Sequence, residues 1–187
     1  FSGNVGKTTI SRHLLLPRIP GAELIAIESI NAEEGHQGQS LRGRQFGELQ
    51  EYMQTVESLV VDIGASNVED LMALMRRYRG SHEDFDFFVV PTVAARKQQQ
   101  DTMATLAELG RSGIPPERLK VVFNMVDQEV DVAQAFELLL AFLKQYPVAN
   151  VSMDCRLEAN EIYGRVKGMG TAIDLVALAN DSTDYKS

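Results

Sequence analysis

Two glycines, a lysine and two hydroxyls fall within one short run, Ser2-Gly3-Asn4-Val5-Gly6-Lys7-Thr8-Thr9. Holding a phosphate group takes several backbone N–H groups aimed at one point, and so a loop that bends where a Cβ would clash. Gly3 and Gly6 supply that freedom, with Asn4 and Val5 between them. Lys7 offers a cation to the outer phosphates of a nucleotide, and the Thr8 hydroxyl is a ligand for Mg²⁺. A helix starting directly behind, at Thr8 and Thr9, adds its positive end. The general pattern G-x-x-x-x-G-K-[ST] has glycine where Phe1 stands, and it needs a strand to anchor the loop. We expect that strand to precede Phe1.

A phosphate loop needs a carboxylate that reaches Mg²⁺ from the end of a neighbouring strand. Asp62, closing Leu59-Val60-Val61-Asp62, fits, and Gly64 behind it leaves room for the outer phosphate. Glu28 ends another apolar run and stands where a carboxylate would orient an attacking water, with Asn31 and Glu33 as alternatives. Asn124, just past Val121-Val122-Phe123, is placed to read a base through its amide. His13, His36 and His82 share no metal-ligand spacing, which argues against zinc. Cys155 is expected to pack as a small hydrophobe, and Gln98-Gln99-Gln100 to open an exposed helix. Arg76, Arg77 and Arg79 read as the solvated end of a helix.

The elements that must position these groups alternate. Leu24–Ile27, Leu59–Val61, Phe87–Val90 and Lys120–Phe123 are short, nearly continuous apolar runs, and Val148–Val151 is a fifth candidate strand. Pro91 is expected to stop the third. Helical spacing covers Thr8–Leu16, the set Val68, Leu71, Met72, Met75 and Tyr78, Thr102–Leu109, and Val132–Tyr146. Residues 31–47 read as a polar, glycine-rich loop beside the site. Strand–helix alternation with unbroken apolar strands predicts the α/β class, with a mostly parallel sheet covered on both faces.

A length of 187 residues favours one domain over residues 1–187, and 44% hydrophobic residues suffice for a core without disulfides or metals. The balance of 26 acidic against 18 basic residues, a net charge of −8, argues against a broad surface for direct DNA binding. One cysteine excludes an intrachain disulfide and suits a reducing, cytoplasmic setting. No apolar run approaches the roughly 20 residues needed to span a bilayer. The polar stretch after Ala179 reads as a tail from which the chain can continue past Ser187.

Ser2 to Thr9, then Asp62 and then Asn124, resemble the ParA/MinD group of P-loop ATPases, which partition plasmids and position structures in bacteria. The run Gly3–Thr9 followed by Ser11-Arg12-His13-Leu14 most resembles the StbB/TraL plasmid stability proteins of conjugative plasmids. The resemblance implies a three-layer α/β/α sandwich, Mg·ATP, a nucleotide-dependent homodimer and a plasmid-encoded DNA-binding partner protein. It implies a switch in which Lys7 holds phosphates, Thr8 and Asp62 the metal, and Asn124 the base, with residues 28–35 answering the γ-phosphate. The family's signature lysine would stand at Ser2, and its switch strand ends D-x-D where this chain has Glu28-Ser29-Ile30. Loss of one cation and one water-orienting group predicts a slow ATPase, since positioning and electrostatics supply nearly all of phosphoryl-transfer catalysis. Two alternatives stand beside it. Asn124-Met125-Val126-Asp127 has the N-x-x-D spacing of a guanine reader, and the two departures also fit a non-catalytic nucleotide-binding module.

Overall fold

Strand and helix alternate along the chain as the apolar runs predict. The computed structural model describes residues 4–27 and 43–163. A helical stretch opens as α1 (Lys7–Ile10), widens into a π-type turn over Ser11–Leu15 and tightens into a 3₁₀ turn over Leu16–Arg18 that holds Pro17. There follow β1 (Ala22–Ile27), α2 (Gly43–Met53), β2 (Ser58–Ile63), α3 (Val68–Arg77) and β3 (Phe88–Thr92). The rest is α4 (Arg96–Arg111), β4 (Leu119–Val126), α5 (Val132–Ala135), α6 (Glu137–Gln145) and β5 (Arg156–Glu158).

Every strand pairing among the described residues is parallel. β1 pairs with β2 from Ala22↔Ser58 to Ile27↔Ile63, and β3 pairs with β4 from Phe88↔Leu119 to Thr92↔Phe123. β5 adds to the far side of β4 through Phe123↔Arg156 and Val126↔Glu158, with an irregularity between them. The described strands thus form a two-stranded sheet, β1-β2, and a three-stranded one, β3-β4-β5. This is an α/β fold with parallel sheets, as the sequence predicts.

β4 is the most deeply set strand. Leu119, Val121, Phe123 and Val126 face the core, where the Phe123 ring lies 4.6 Å from that of Phe136. Phe46, Leu106 and Leu139 complete the fully enclosed centre. At about 25 cal/mol per Å² of apolar surface removed from water, each enclosed leucine or phenylalanine contributes about 1.5–3 kcal/mol.

Several expectations need correction. Residues 43–47 are helical: α2 takes Gly43 to Gly47 out of the expected loop and buries Phe46 and Leu49 on one face. Residues 31–42 lie outside the described residues. Pro91 lies within β3 rather than ending it. Proline lacks an N–H but is tolerated in a strand whose edge makes no ladder bond, and β3 has β4 as its one strand partner among the described residues. Val148–Val151 forms no strand; Asn150 makes an isolated bridge to Lys120, and the fifth strand is Arg156–Glu158.

The expected helix Val132–Tyr146 is two helices broken at Phe136, whose φ of −112° and ψ of 24° leave helical geometry. The break lets the Phe136 ring drop into the core, and it strands backbone groups that need partners. Gln99 supplies them. Far from opening an exposed helix, its side chain is buried, donating to Ala94 O at 2.7 Å and Ala135 O at 2.9 Å and accepting from Leu139 N at 3.2 Å. Cys155 is exposed rather than packed. Its backbone is engaged in the fold, its carbonyl accepting from Phe123 N at 2.9 Å. Arg76 and Arg77 do close α3 as an exposed helix end, and Arg76 pairs with Glu108 of α4.

Candidate functional site

Asn4 and Gly6 both have left-handed backbones, with φ of 60° and 84°. Such residues alternating with right-handed ones turn successive N–H groups to one side of the chain, the geometry of an anion-binding concavity. Asn4 is exposed and Val5 is buried, so this segment is anchored by Val5 and presents its outer surface to solvent. Lys7 follows as the first residue of α1.

The anchor comes from the far half of the chain. Asn124 Nδ2 of β4 donates to Val5 O at 2.9 Å, across 119 positions of sequence. The same amide passes so close under the loop that a Cβ built on Gly6 would lie 2.2 Å from Nδ2. Gly6 is therefore required twice over, by its positive φ and by Asn124 beneath it. Asn124 is buried, and this bond gives it a loop-holding role that sequence reasoning had not assigned.

Asp62 closes in from the other sheet. It is buried near the C-terminal end of β2, and its charge acts on Lys7. Half-burial holds the Lys7 ammonium below the usual lysine range, with Asp62 pulling the other way as the smaller effect. Thr8 is exposed and Thr9 half-buried one and two residues further on. The structure thus brings together Asn4, Val5, Gly6, Lys7, Asp62 and Asn124, with Thr8 beside them. Gly3, Glu28, Asn31 and Glu33 lie outside the described residues.

Three further residues belong to this neighbourhood and carry no signal strong enough to find by sequence. Asn67, fully enclosed just before α3, donates through Nδ2 to Ile27 O at 3.3 Å, and Gly64 N reaches the same carbonyl at 2.8 Å. The turn after Asp62 is thereby tied to the end of β1. Met125 takes a left-handed backbone, φ 55°, and its half-exposed side chain reaches within 3.8 Å of the Gly6 Cβ position. Thr92, at the C-terminal end of β3 and opposite Phe123, has a fully enclosed hydroxyl with no partner among the described residues. The signal for Asn67 was its place in a turn behind a strand-ending Asp; for the other two there was none. In parallel α/β sheets ligands collect outside the carboxyl ends of the strands, which is where Asp62, Thr92 and Asn124 stand.

No protein-family profile, curated protein or solved structure matches this chain. Among the described residues no helix is long and apolar enough to cross a membrane.

Proposed function

We propose that Asn4–Thr8, Asp62 and Asn124 form a P-loop that binds Mg²⁺ and a nucleoside triphosphate, within a three-layer α/β/α P-loop domain. One observation carries the reading. A left-handed loop ending in Lys7 is pinned from below by Asn124 and met from the side by Asp62, so groups from both sheets converge on one short segment. A packing turn needs neither a half-buried lysine nor a buried carboxylate acting on it.

The donor set suits the hard cation: the exposed Thr8 hydroxyl and the Asp62 carboxylate are the oxygen ligands magnesium takes alongside water and phosphate oxygens. The metal would neutralise charge on the outer phosphates. Lys7 would hold the outer phosphates through its half-buried ammonium. Gly3 and Thr9 complete the proposed cradle, and Glu28 is proposed to orient the attacking water.

More particularly, we propose an ATP-binding switch and slow ATPase of the StbB/TraL kind, acting in plasmid stability or conjugation. In this reading it is cytoplasmic, forms a nucleotide-dependent homodimer and reaches DNA through a partner protein. A GTP-binding switch is the second reading, favoured by the exposed Asp127 three residues beyond Asn124 at the open end of β4. Calorimetric titration of Mg·ATP, Mg·ADP and Mg·GTP separates them. ATP binding that is lost in Lys7→Ala supports the site, whereas equal affinity in that variant refutes it. Preference for GTP that disappears in Asp127→Ala would move the assignment to the second reading.

A further inference from the structure

Met125 holds a backbone conformation that its side chain disfavours. Among the described residues, two that are not glycine have left-handed backbones, Asn4 and Met125. Asparagine tolerates that region through local bonds from its short amide, and methionine has no such compensation. The cause lies in the pairing of β4 with β5. Phe123 pairs with Arg156 and Val126 with Glu158, so three steps along β4 match two along β5. The extra residue falls within Asn124-Met125 and makes a bulge, a device that gives up regular pairing and re-aims side chains.

The re-aiming shows at Gly6. In a regular strand, neighbouring side chains point to opposite faces. Here Asn124 and Met125 converge: the Asn124 amide and the Met125 Cε, the latter at 3.8 Å, both close on the position that a Cβ on Gly6 would take. Their exposure then differs. Asn124 is buried and donates to the Val5 carbonyl, whereas Met125 stays half-exposed beside the loop. The group that this bulge presents to solvent next to Gly6 is therefore a thioether. It has no N–H or O–H to offer a phosphate.

We propose that Met125 is the contact for the base of the bound nucleotide, lying against the face of a purine ring. This rests on the P-loop reading given above. A thioether is apolar and polarisable, and it packs favourably on aromatic rings. Contact with a ring face senses area, so two fused rings gain more from it than the single ring of a pyrimidine. It does not read the polar edge, where adenine and guanine differ. Telling the two purines apart is left to the exposed Asp127, two residues further on. The left-handed backbone at Met125 is then strain held beside a ligand position, where such strain is commonly found.

The test is calorimetric titration, with Mg²⁺, of tripolyphosphate, ATP, GTP and UTP into the parent, Met125→Asn and Met125→Leu. Asparagine accepts the left-handed backbone, so Met125→Asn is expected to melt no lower than the parent; leucine keeps an apolar contact. Met125→Asn is expected to weaken ATP and GTP by the same factor, about tenfold, and UTP by less. Tripolyphosphate affinity stays unchanged, and Met125→Leu restores most of the loss. Equal ATP affinity in the parent and Met125→Asn overturns the proposal. So does an equal loss for tripolyphosphate, which would make Met125 a support of the loop. A parent that binds ATP no more tightly than tripolyphosphate overturns this inference alone, whereas a parent that binds none of the four ligands refutes the P-loop reading and this inference with it.

Discussion

Asn124 and Lys7 show how single side chains set the character of the loop. The Val5 carbonyl is buried against β4 with the Asn124 amide as its partner at 2.9 Å. Replacing Asn124 with Ala leaves that carbonyl without its donor, a loss of about 1–3 kcal/mol. Asn124→Asp keeps the shape but cannot donate when ionised, so it is expected to cost at least as much. Urea unfolding of both variants checks this, and an unchanged midpoint in either would mean that the bond does not hold the loop.

Lys7 gives a pH signature. Its pKa is lowered in the folded protein, mainly by burial, so the folded state releases its proton before the unfolded state does. Below the folded pKa both states are charged and the whole cost of burying the ammonium is felt. Between that value and the ordinary lysine value the unfolded state binds more protons, and stability attributable to Lys7 rises with pH. Lys7→Met is therefore expected to be more stable than the parent at neutral pH without nucleotide, with the difference shrinking as pH rises toward the ordinary lysine value. Denaturant titrations across that range read it directly; a difference that grows with pH would reverse the assignment of cause.

At the scale of elements, the break between α5 and α6 is the informative feature. Periodicity through Val132–Tyr146 is that of one helix, and Phe136 belongs to its apolar face. What ends α5 early is the depth to which Phe136 packs against Phe123, 4.6 Å between rings, together with a buried glutamine that caps the exposed backbone on both sides. Asp131 begins α5 by accepting from Ala133 N at 2.8 Å, an ordinary N-cap. Gln99→Leu preserves bulk but strands two carbonyls and one N–H, and is expected to cost about 1–3 kcal/mol for each group that finds no water. Gln99→Glu is expected to fail as well, because a carboxylate cannot donate to Ala94 O and Ala135 O. Circular dichroism melts measure both. Should Gln99→Leu melt with the parent, the glutamine would be packing bulk rather than a staple.

Across the whole molecule, burial is uneven between the sheets. β4 sets Leu119, Val121, Phe123, Asn124 and Val126 deep in the core, whereas no residue of β1 is fully buried. Opening of a segment follows how little apolar contact holds it closed. Native-state hydrogen exchange is expected to show β4 amides protected up to the global unfolding limit, and β1 amides opening at clearly lower free energy. Equal protection in the two sheets would show that they unfold as one unit and that the boundary between them is no weak point. Nucleotide bound at the loop would touch groups from both sheets, so added Mg·ATP should narrow the gap between β1 and β4.

The division between sequence and tertiary structure runs along the range of the interactions. Strand runs such as Leu59–Val61 and Lys120–Phe123, the helix of Val68 to Met75 and the glycine-lysine-threonine spacing of the loop were legible, because each depends on residues within a few positions of one another. The convergence of Lys7 and Asp62 was expected from chemistry alone. The burial of Gln99, the break at Phe136, the exposure of Cys155, the strand at Arg156–Glu158 and the tethers from Asn67 and Asn124 were decided only by packing. The places of Gln99 and Asn124, for example, depend on Ala135 and Val5, 36 and 119 positions away. Local propensity carries no information about which distant backbone group will be left needing a partner, and that need is what placed these side chains.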